Sequence, residues 1–342
     1  MLHIKKTLAA LGLGAMVVGA MPAMAQDHDQ PGKGTTIQMA RPTWDTGWFH
    51  TEIVRQLLEE LGYTVGQPMT LDNPAFFQAV GTGDVTMWSD AWFPAHNPYR
   101  EVFEPGAEIV GTIAQGGALE GYLVDKASAE KYNIKTLDDF KRDEVKKAFD
   151  RNDDGKADLV ACPPGWACEL TIEHHLDAYG LRDDINTIKG GYAASMADTV
   201  AAYRAGEPVL FYTWTPNWTV DELKPGKDVV WIEVPRIDLP DDLKPMADAA
   251  TRKGVEGCVS DPCRLGFPAS DISSVVNVEF LNQNPAVRAL LAAVKVPLAD
   301  MSAQNAKMNA GDSDVEGHAK AWIAQHREQV DGWLKQARAA GG

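Results

Sequence analysis

The sequence predicts an α/β fold, because short apolar segments alternate with longer segments whose apolar residues recur at helical spacing. Phe49, Ile53 and Leu57 show this spacing, and the helix that they predict ends before Gly62. Residues 159–161 are typical of a buried strand, and a loop and another helix follow them. No repeat interrupts the alternation after the polar tract at residues 26–34.

The individual elements follow from local composition. Short apolar runs predict strands at 36–39, 85–88, 108–113, 122–124, 159–161, 208–213, 229–234 and 272–276. Helical spacing predicts helices at 49–61, 73–80, 137–149, 168–178, 193–204, 285–294, 303–308 and 319–339. This order of elements predicts parallel or mixed sheets.

The first 25 residues have the composition of a secretory signal. Lys5 and Lys6 precede an apolar run over 8–21, and Ala23-Met24-Ala25 supplies a small-residue cleavage site. The run is shorter than the ~20 residues that span a bilayer, which argues against a membrane anchor. We therefore expect an exported protein that begins near Gln26.

The 342-residue chain is acidic and long enough for two lobes of ordinary domain size. Its formal charge is −16, and removal of the first 25 residues, which contain two lysines and no acids, leaves −18. Such a surface argues against nucleic acid or anionic lipid as a partner.

The four cysteines fall into two local pairs, Cys162 with Cys168 and Cys258 with Cys263. In an exported protein this arrangement favours two short-loop disulfides over metal ligation. The alternative is a hydrolase with a catalytic thiol at Cys168, served by His96 or His174. The even number of cysteines leaves no spare thiol, and no serine-nucleophile elbow, phosphate loop or dinucleotide motif is present, so an enzyme is not expected.

Three tryptophans lie in polar segments rich in turn-forming residues. Trp92 precedes Phe-Pro, Trp166 follows Pro-Pro-Gly between two cysteines, and Trp214 precedes Thr-Pro. Each comes just after the carboxyl end of a predicted strand, where ligands of open α/β sheets bind. Core packing is the alternative, and we accept it for three tryptophans in periodic apolar contexts: Trp231, Trp322 and Trp333.

Indole faces suit a ligand cation that has no proton to donate. A quaternary ammonium cannot be held by hydrogen bonds, whereas each desolvated contact with an indole contributes roughly 2 kcal/mol. We therefore predict that Trp92, Trp166 and Trp214 form a cage for a small methylated ammonium compound. A module for cationic amino acids or polyamines is the alternative, but it needs carboxylates, and these segments supply few beyond Asp90 and Glu169.

The same segments contain candidate donors for an anionic group of the ligand. His96 lies four residues after Trp92. The backbone N–H groups of Ala167 and Cys168 lie at the start of a predicted helix, and a helix start attracts anions.

Residues 150–158 have most of the pattern of a calcium-binding loop. Oxygen ligands stand at loop positions 1, 3, 5 and 9, and glycine stands at position 6, but Ala161 occupies position 12, where a bidentate glutamate belongs. The candidate ligands are Asp150, Asn152, Asp154, Lys156 through its carbonyl, and Asp158. Structural calcium and an Asx-rich turn both remain as interpretations, and no other cofactor is expected.

These segments make the chain similar to the periplasmic glycine betaine/proline betaine-binding proteins of ABC transporters. The resemblance includes residues 61–65, the loops at 150–158 and 162–168, Tyr-Thr-Trp-Thr-Pro at 212–216, and residues 223–231. It implies a two-lobed periplasmic substrate-binding protein with the ligand cleft between the lobes. Such a protein serves a membrane permease and its ATPase, and we expect it to be a monomer.

The resemblance also implies where the lobes meet. The chain would cross between them near 121–122 and 266–268. One lobe would then consist of 26–120 and 265–342, and the other of 121–264.

For the site, the resemblance implies the three-tryptophan cage, with His96 and the N–H groups of Ala167 and Cys168 as donors to a ligand carboxylate. Ala167 stands where better-known members have glycine. Trp44 and Trp48 follow the first strand, where tryptophan is not expected in the betaine binders, and Trp44 would close the cage over a more compact ligand. Glycine betaine, trimethylamine N-oxide and choline all remain candidates.

Overall fold

The computed structural model describes residues 29–341, and it shows the alternation of strands and helices that the sequence predicts. The signal segment predicted at residues 1–25 lies outside the described residues. Within the described part of the chain, every helix is too short or too polar to cross a membrane.

The strands of the described residues are mostly short. In chain order they are β1 (Thr36–Ile37), β2 (Met39–Pro42), β3 (Thr64–Val65), β4 (Met69–Leu71), β5 (Met87–Phe93), β6 (Ala107–Asp125), β7 (Ala157–Val160), β8 (Ile185–Ile188), β9 (Leu210–Thr215), β10 (Val229–Ile232), β11 (Thr251–Arg252), β12 (Cys263–Arg264) and β13 (Ser270–Asn277).

The α-helices lie between these strands and at the carboxyl-terminal end of the described residues. They are α1 (Trp48–Glu60), α2 (Asn73–Thr82), α3 (Arg100–Phe103), α4 (Lys126–Tyr132), α5 (Asp143–Phe149), α6 (Ala167–Ala178), α7 (Tyr192–Arg204), α8 (Thr219–Glu222), α9 (Val278–Gln283), α10 (Pro285–Ala293), α11 (Leu298–Asn309), α12 (Val315–Gln325) and α13 (Arg327–Gly341). Short 3₁₀ segments lie at Asp45–Gly47, Asn97–Tyr99, Leu137–Lys141 and Asp241–Ala250.

Most of the strands join one mixed sheet in the order β4-β2-β5-β13-β6-β9-β7-β8, with β10 also paired to β6. The outer strands pair in parallel, β2 with β4 and β5, and β7 with β8 and β9. β6 connects the two groups. It pairs antiparallel with β13 through Ala107–Ala118 and with β9 through Leu119–Val124.

The sequence predicted two strands where β6 is continuous, because Gly116 and Gly117 look like a break. Long-range pairing overrides this local signal. Ser270 of β13 pairs with Ala118, and the backbone N–H of Gly116 donates to the Asp271 carboxylate at 2.6 Å.

Two predicted helices are interrupted. The helix predicted at 137–149 is a 3₁₀ segment followed by α5, because Arg142 between them is extended, with φ −77° and ψ 131°. The helix predicted at 319–339 is divided into α12 and α13 at His326, whose φ of −106° and ψ of 25° depart from helical values. Hydrophobic spacing does not detect such local turns, because the apolar faces continue on either side of them.

Two disulfides join the cysteines in the pairs that the sequence predicts, Cys162 with Cys168 and Cys258 with Cys263. These pairs include all four cysteines of the chain. A hydrolase that depends on a free thiol at Cys168 is therefore at odds with this structure.

Trp322 is a core residue of the α12–α13 region, as its periodic context predicts. Its ring stacks on His326 at 4.1 Å between centroids and on Trp333 at 6.3 Å, and Nε1 donates to Asp300 at 2.8 Å. We predict that Trp322→Ala lowers the free energy of unfolding by about 3 kcal/mol, because it removes a buried indole. Urea unfolding measures this loss. Ligand affinity stays at the parent value, and an unchanged unfolding midpoint would contradict the core assignment.

Candidate functional site

A small cavity lies beside β6, close to the point where its pairing changes from β13 to β9. It offers about 40 Å³ to the centre of a water-sized sphere. Its lining comprises Trp44, Asn73, Trp92, Ala95, His96, Glu120, Trp166, Ala167, Cys168, Tyr212 and Trp214. All seven residues predicted for the ligand site are among these, although they come from four separate segments of the chain.

The positions of two cage tryptophans differ from the expectation. Trp92 and Trp214 lie within strands, each as the penultimate residue of β5 or β9, and not in loops. The strands extend beyond their apolar runs because the ladders continue there. Trp92 pairs with Ile272, and Trp214 pairs with Glu120.

Trp166 precedes the first residue of α6, as the sequence predicted. Gly165 before it has φ +90°, a conformation that glycine adopts without strain. The Trp166 Nε1–H donates to the Thr43 hydroxyl at 2.9 Å, which joins segments 123 residues apart. The disulfide between Cys162 and Cys168 closes the loop that carries this indole.

The indoles form adjacent walls of the cavity. Trp166 meets Trp44 edge to face at 5.1 Å between ring centroids, and it meets Trp214 in the same way at 5.6 Å. Trp92 completes the set, and each of these four residues is only 5–8% exposed. Edge-to-face packing holds the rings of Trp44, Trp166 and Trp214 against one another. Trp48, the other early tryptophan, lies outside the lining, and the Arg41 guanidinium lies 3.7 Å above its ring.

His96 is held by the protein through both ring nitrogens. Nδ1 accepts the backbone N–H of Trp92 at 3.0 Å, and Nε2 lies 2.7 Å from the Asn73 side-chain amide. Burial lowers the pKa of His96 to about 3, so the ring is neutral at physiological pH. Since Nδ1 accepts, the proton is on Nε2, where the Asn73 amide oxygen would accept it once the amide is turned over. A direct bond from His96 to a ligand carboxylate stays a prediction.

The backbone N–H groups of Ala167 and Cys168 differ from the His96 ring, whose nitrogens already have protein partners. Both belong to the first turn of α6, whose N–H groups have no partner within the helix. Among the described residues, no acceptor for either group is found. They remain the predicted donors to an anionic ligand group.

Glu120 is an ionisable lining residue that the sequence analysis did not propose for the site. It is 4% exposed, its Oε1 accepts the Tyr212 hydroxyl, and its Oε2 has no partner among the described residues. Burial raises the pKa of Glu120 to about 7, against the opposing effect of the Tyr212 hydrogen bond. The Nε1–H of Trp214, across the ladder from Glu120, also has no partner there. A single acid between Leu119 and Gly121 in an apolar strand was the available signal.

The loop at 150–158 is organised by its own backbone. Asp150 accepts the N–H groups of Asp154 at 3.1 Å and Gly155 at 2.8 Å, and Asp158 accepts that of Arg151 at 2.9 Å. The described residues contain no group of three or more His, Cys, Asp or Glu arranged to hold a metal ion. The Asx-rich turn accounts for the loop, and the calcium interpretation gains no support, because backbone N–H groups already engage the carboxylates.

Comparison with known proteins gives concordant results. A family model described as the substrate binding domain of ABC-type glycine betaine transport system matches residues 35–325. The glycine betaine/proline betaine-binding periplasmic protein of Salmonella typhimurium is 41% identical over 322 residues, 93% of this chain and 95% of that protein. The trimethylamine N-oxide-binding protein of Pelagibacter ubique is 24% identical over 291 residues, 83% of this chain and 86% of that protein.

A solved structure shares the fold. The crystal structure of lactococcal OpuAC in its closed, liganded conformation with glycine betaine has a TM-score of 0.67 to this chain. The match covers 88% of this chain and 99% of that chain, with 19% sequence identity. The two-lobed substrate-binding fold implied by the resemblance is thereby confirmed.

The raised pKa of Glu120 makes stability depend on pH. Between its ordinary value near 4.5 and about 7, the folded protein binds a proton that the unfolded chain does not, so this contribution is full below 4.5 and is lost as pH rises through 7. Glu120→Gln cannot titrate at this position. We predict that its free energy of unfolding, measured relative to that of the parent, rises by up to about 3 kcal/mol when the pH is raised from 4.5 to 8. Urea unfolding of both ligand-free proteins measures this. A difference that is the same at the two pH values would contradict it.

Proposed function

Because the chain belongs to the family of substrate-binding domains of ABC-type glycine betaine transport systems, we propose that it captures a small methylated ammonium osmolyte for an ABC importer. The single observation that carries this proposal is the aromatic cavity, whose lining contains the indoles of Trp44, Trp92, Trp166 and Trp214. An indole is the best of the aromatic faces for a cation, and desolvation in such a cavity strengthens the contact.

The same proposal includes the setting of the protein. We propose that a cleavable signal exports it to the periplasm, where it meets a permease and an ATPase as a monomer. The lobes would consist of 26–120 with 265–342 and of 121–264. The change of partner along β6, after Ala118, supports the first of these boundaries.

A binding role is favoured over a catalytic one. Cys168 is in a disulfide, so it has no thiol to act as a nucleophile. The neutral His96 ring is hydrogen-bonded to Trp92 and Asn73, so it is not placed to serve as the base of a Cys168–His96 pair. The cavity offers indole faces together with a few polar groups that have no partner in the described part of the chain, which suits recognition of a ligand with one charged methylated end.

Within the osmolyte class, the cavity favours a compact ligand. Trp44 stands as a fourth wall against Trp166, which leaves little room for a carboxylate arm. Trimethylamine N-oxide keeps the three methyl groups and has only an oxide in place of that arm. Glycine betaine remains the second candidate, because the N–H groups of Ala167 and Cys168, which have no acceptor among residues 29–341, are suited to its carboxylate.

The experiment is a calorimetric titration of the purified protein with a panel of solutes. The panel contains trimethylamine N-oxide, glycine betaine, proline betaine, choline, lysine and putrescine. We expect saturable binding of at least one methylated ammonium compound and none of the two primary amines. Tight binding of lysine or putrescine alone would overturn the proposal, because a protonated amine needs several acceptors, whereas the lining presents mainly indole faces beside the carboxyl group of Glu120.

We predict that Trp92→Ala, Trp166→Ala and Trp214→Ala each weaken binding of the preferred solute by at least about 1 kcal/mol, because each removes one face of the cage. Calorimetry measures the loss. Trp48→Ala is the matched control, since this indole is only four residues from Trp44 in the chain but lies outside the lining. Parent-like affinity in all three cavity variants would exclude the cage.

We predict a change of preference in Trp44→Ala. We expect the parent to bind trimethylamine N-oxide more tightly than glycine betaine. Removal of the fourth wall makes room for the carboxylate arm, so the variant is expected to reverse that order. The same titrations give both affinities. A parent that prefers betaine, or a variant that keeps the order of the parent, would show that Trp44 does not limit the size of the ligand.

A further inference from the structure

The carboxylate of Asp90 lies behind two walls of the cavity and is not part of the lining. Its Oδ2 accepts the Trp44 Nε1–H at 2.6 Å, and its Oδ1 accepts the Trp92 Nε1–H at 3.0 Å. Oδ1 also accepts from His50 Nε2 at 2.8 Å. Three ring N–H groups from three segments of the chain therefore converge on one side chain.

This arrangement is fully enclosed. Asp90 has no exposed surface, and His50 is 1% exposed. Among the described residues, no lysine or arginine pairs with Asp90, and His50 is its one ionisable partner. A buried carboxylate costs several kcal/mol unless its oxygens are fully hydrogen-bonded, so the three donors are needed for the group to exist there.

The chain around Asp90 is fitted to it. Asp90 and Trp92 are two residues apart on β5, so their side chains project from the same face of the strand. Gly47 passes so close that a Cβ there would lie 2.0 Å from Asp90 Oδ2. The turn between Trp44 and α1 is thus shaped around the carboxylate that holds Trp44.

We propose that Asp90 is a positioning residue that determines ligand specificity, because it fixes the indoles of Trp44 and Trp92 as walls of a cavity for a compact ligand. This inference rests on the proposed function. The hydrogen bond to Trp44 is decisive for size, since it holds the fourth wall against the cavity. The Asp90 carboxylate accepts both Nε1–H groups, so it also polarises the two indoles and strengthens the attraction of their ring faces for a cation.

The central variant is Asp90→Asn, which keeps the shape but removes the charge and replaces one acceptor with an N–H₂ group. We expect affinity for trimethylamine N-oxide to fall at least tenfold, and its affinity ratio to glycine betaine to fall at least threefold. A loss of fold alone would lower both affinities together, so the ratio separates the two explanations. Parent-like affinity and ratio in a folded Asp90→Asn would overturn the proposal.

The chain offers a matched control. Asp300 accepts the Nε1–H of Trp322 at 2.8 Å, the same kind of pair at a distance from the cavity. Asp300→Asn is expected to change stability and to leave both the affinity and the ratio at the parent values. An equal fall of the ratio in Asp300→Asn would show that the change of ratio does not depend on the carboxylate behind Trp44 and Trp92, and it would overturn the proposal.

Further variants decide the question where Asp90→Asn does not fold. Trp44→Phe keeps an aromatic wall but removes its N–H, so the ratio falls as in Asp90→Asn. His50→Gln keeps a donor to Asp90, so its affinity ratio stays near the parent value. His50→Leu removes the donor, and its ratio falls. Equal behaviour of the two His50 variants, together with an unchanged ratio in Trp44→Phe, would overturn the proposal.

A ligand-free measurement separates this inference from the proposed function. In ¹⁵N NMR spectra of the unliganded protein, Asp90→Asn is expected to move the indole N–H resonances of Trp44 and Trp92 and to leave that of Trp322 in place. If these shifts occur and no solute of the panel binds the parent, the positioning role stands and the proposed function fails. If the resonances of Trp44 and Trp92 do not move, the positioning role fails whatever the solutes do.

Discussion

The antiparallel pairing of β6 with two different strands is the constraint on which the rest of the structure depends. One half of β6 is fixed by β13 and the other by β9, so a single strand carries hydrogen-bonded ladders into both parts of the sheet. Glu120 lies just after the change of partner, in register with Trp214. β13 also pairs with β5, which places Trp92 on the other side of the same region. The cavity therefore lies between ladders, and the hydrogen-bonded sheet holds the two walls that Trp92 and Trp214 provide.

The polar atoms around the cavity fall into two groups with different roles. One group is fully paired within the protein: Asp90 with its three ring donors, and His96 with Trp92 and Asn73. The other group has no partner within residues 29–341, and it consists of Glu120 Oε2, the Trp214 Nε1–H and the first N–H groups of α6. A buried polar atom without a partner costs about 1–3 kcal/mol, so each member of the second group lowers the stability of the fold unless a further group bonds it. A ligand with polar atoms at matching places recovers that cost, whereas the paired group keeps the walls in place.

Local composition was sufficient for some features and insufficient for others. The alternation of elements, the two disulfides and the place of three predicted tryptophans in the cavity lining could be predicted, because each signal lies in residues close together in the chain. The continuity of β6 through Gly116 could not, since it depends on pairing with β13, more than 150 residues away. Glu120 was missed for the same reason. Whether an acid in an apolar strand faces solvent or a cavity is decided by the register of its neighbours, which hydrophobic spacing does not contain.

The two carboxyl groups near the cavity show how environment decides the role of one chemical group. Asp90 accepts three N–H groups, which stabilise a carboxylate that never reaches the ligand space. Glu120 accepts one hydroxyl and keeps a free oxygen in the lining, where burial raises its pKa to about 7. The first acid therefore acts through the indoles that it orients. The second can meet a ligand in either protonation state near neutral pH, because a pKa of about 7 gives its neutral and charged forms similar populations there.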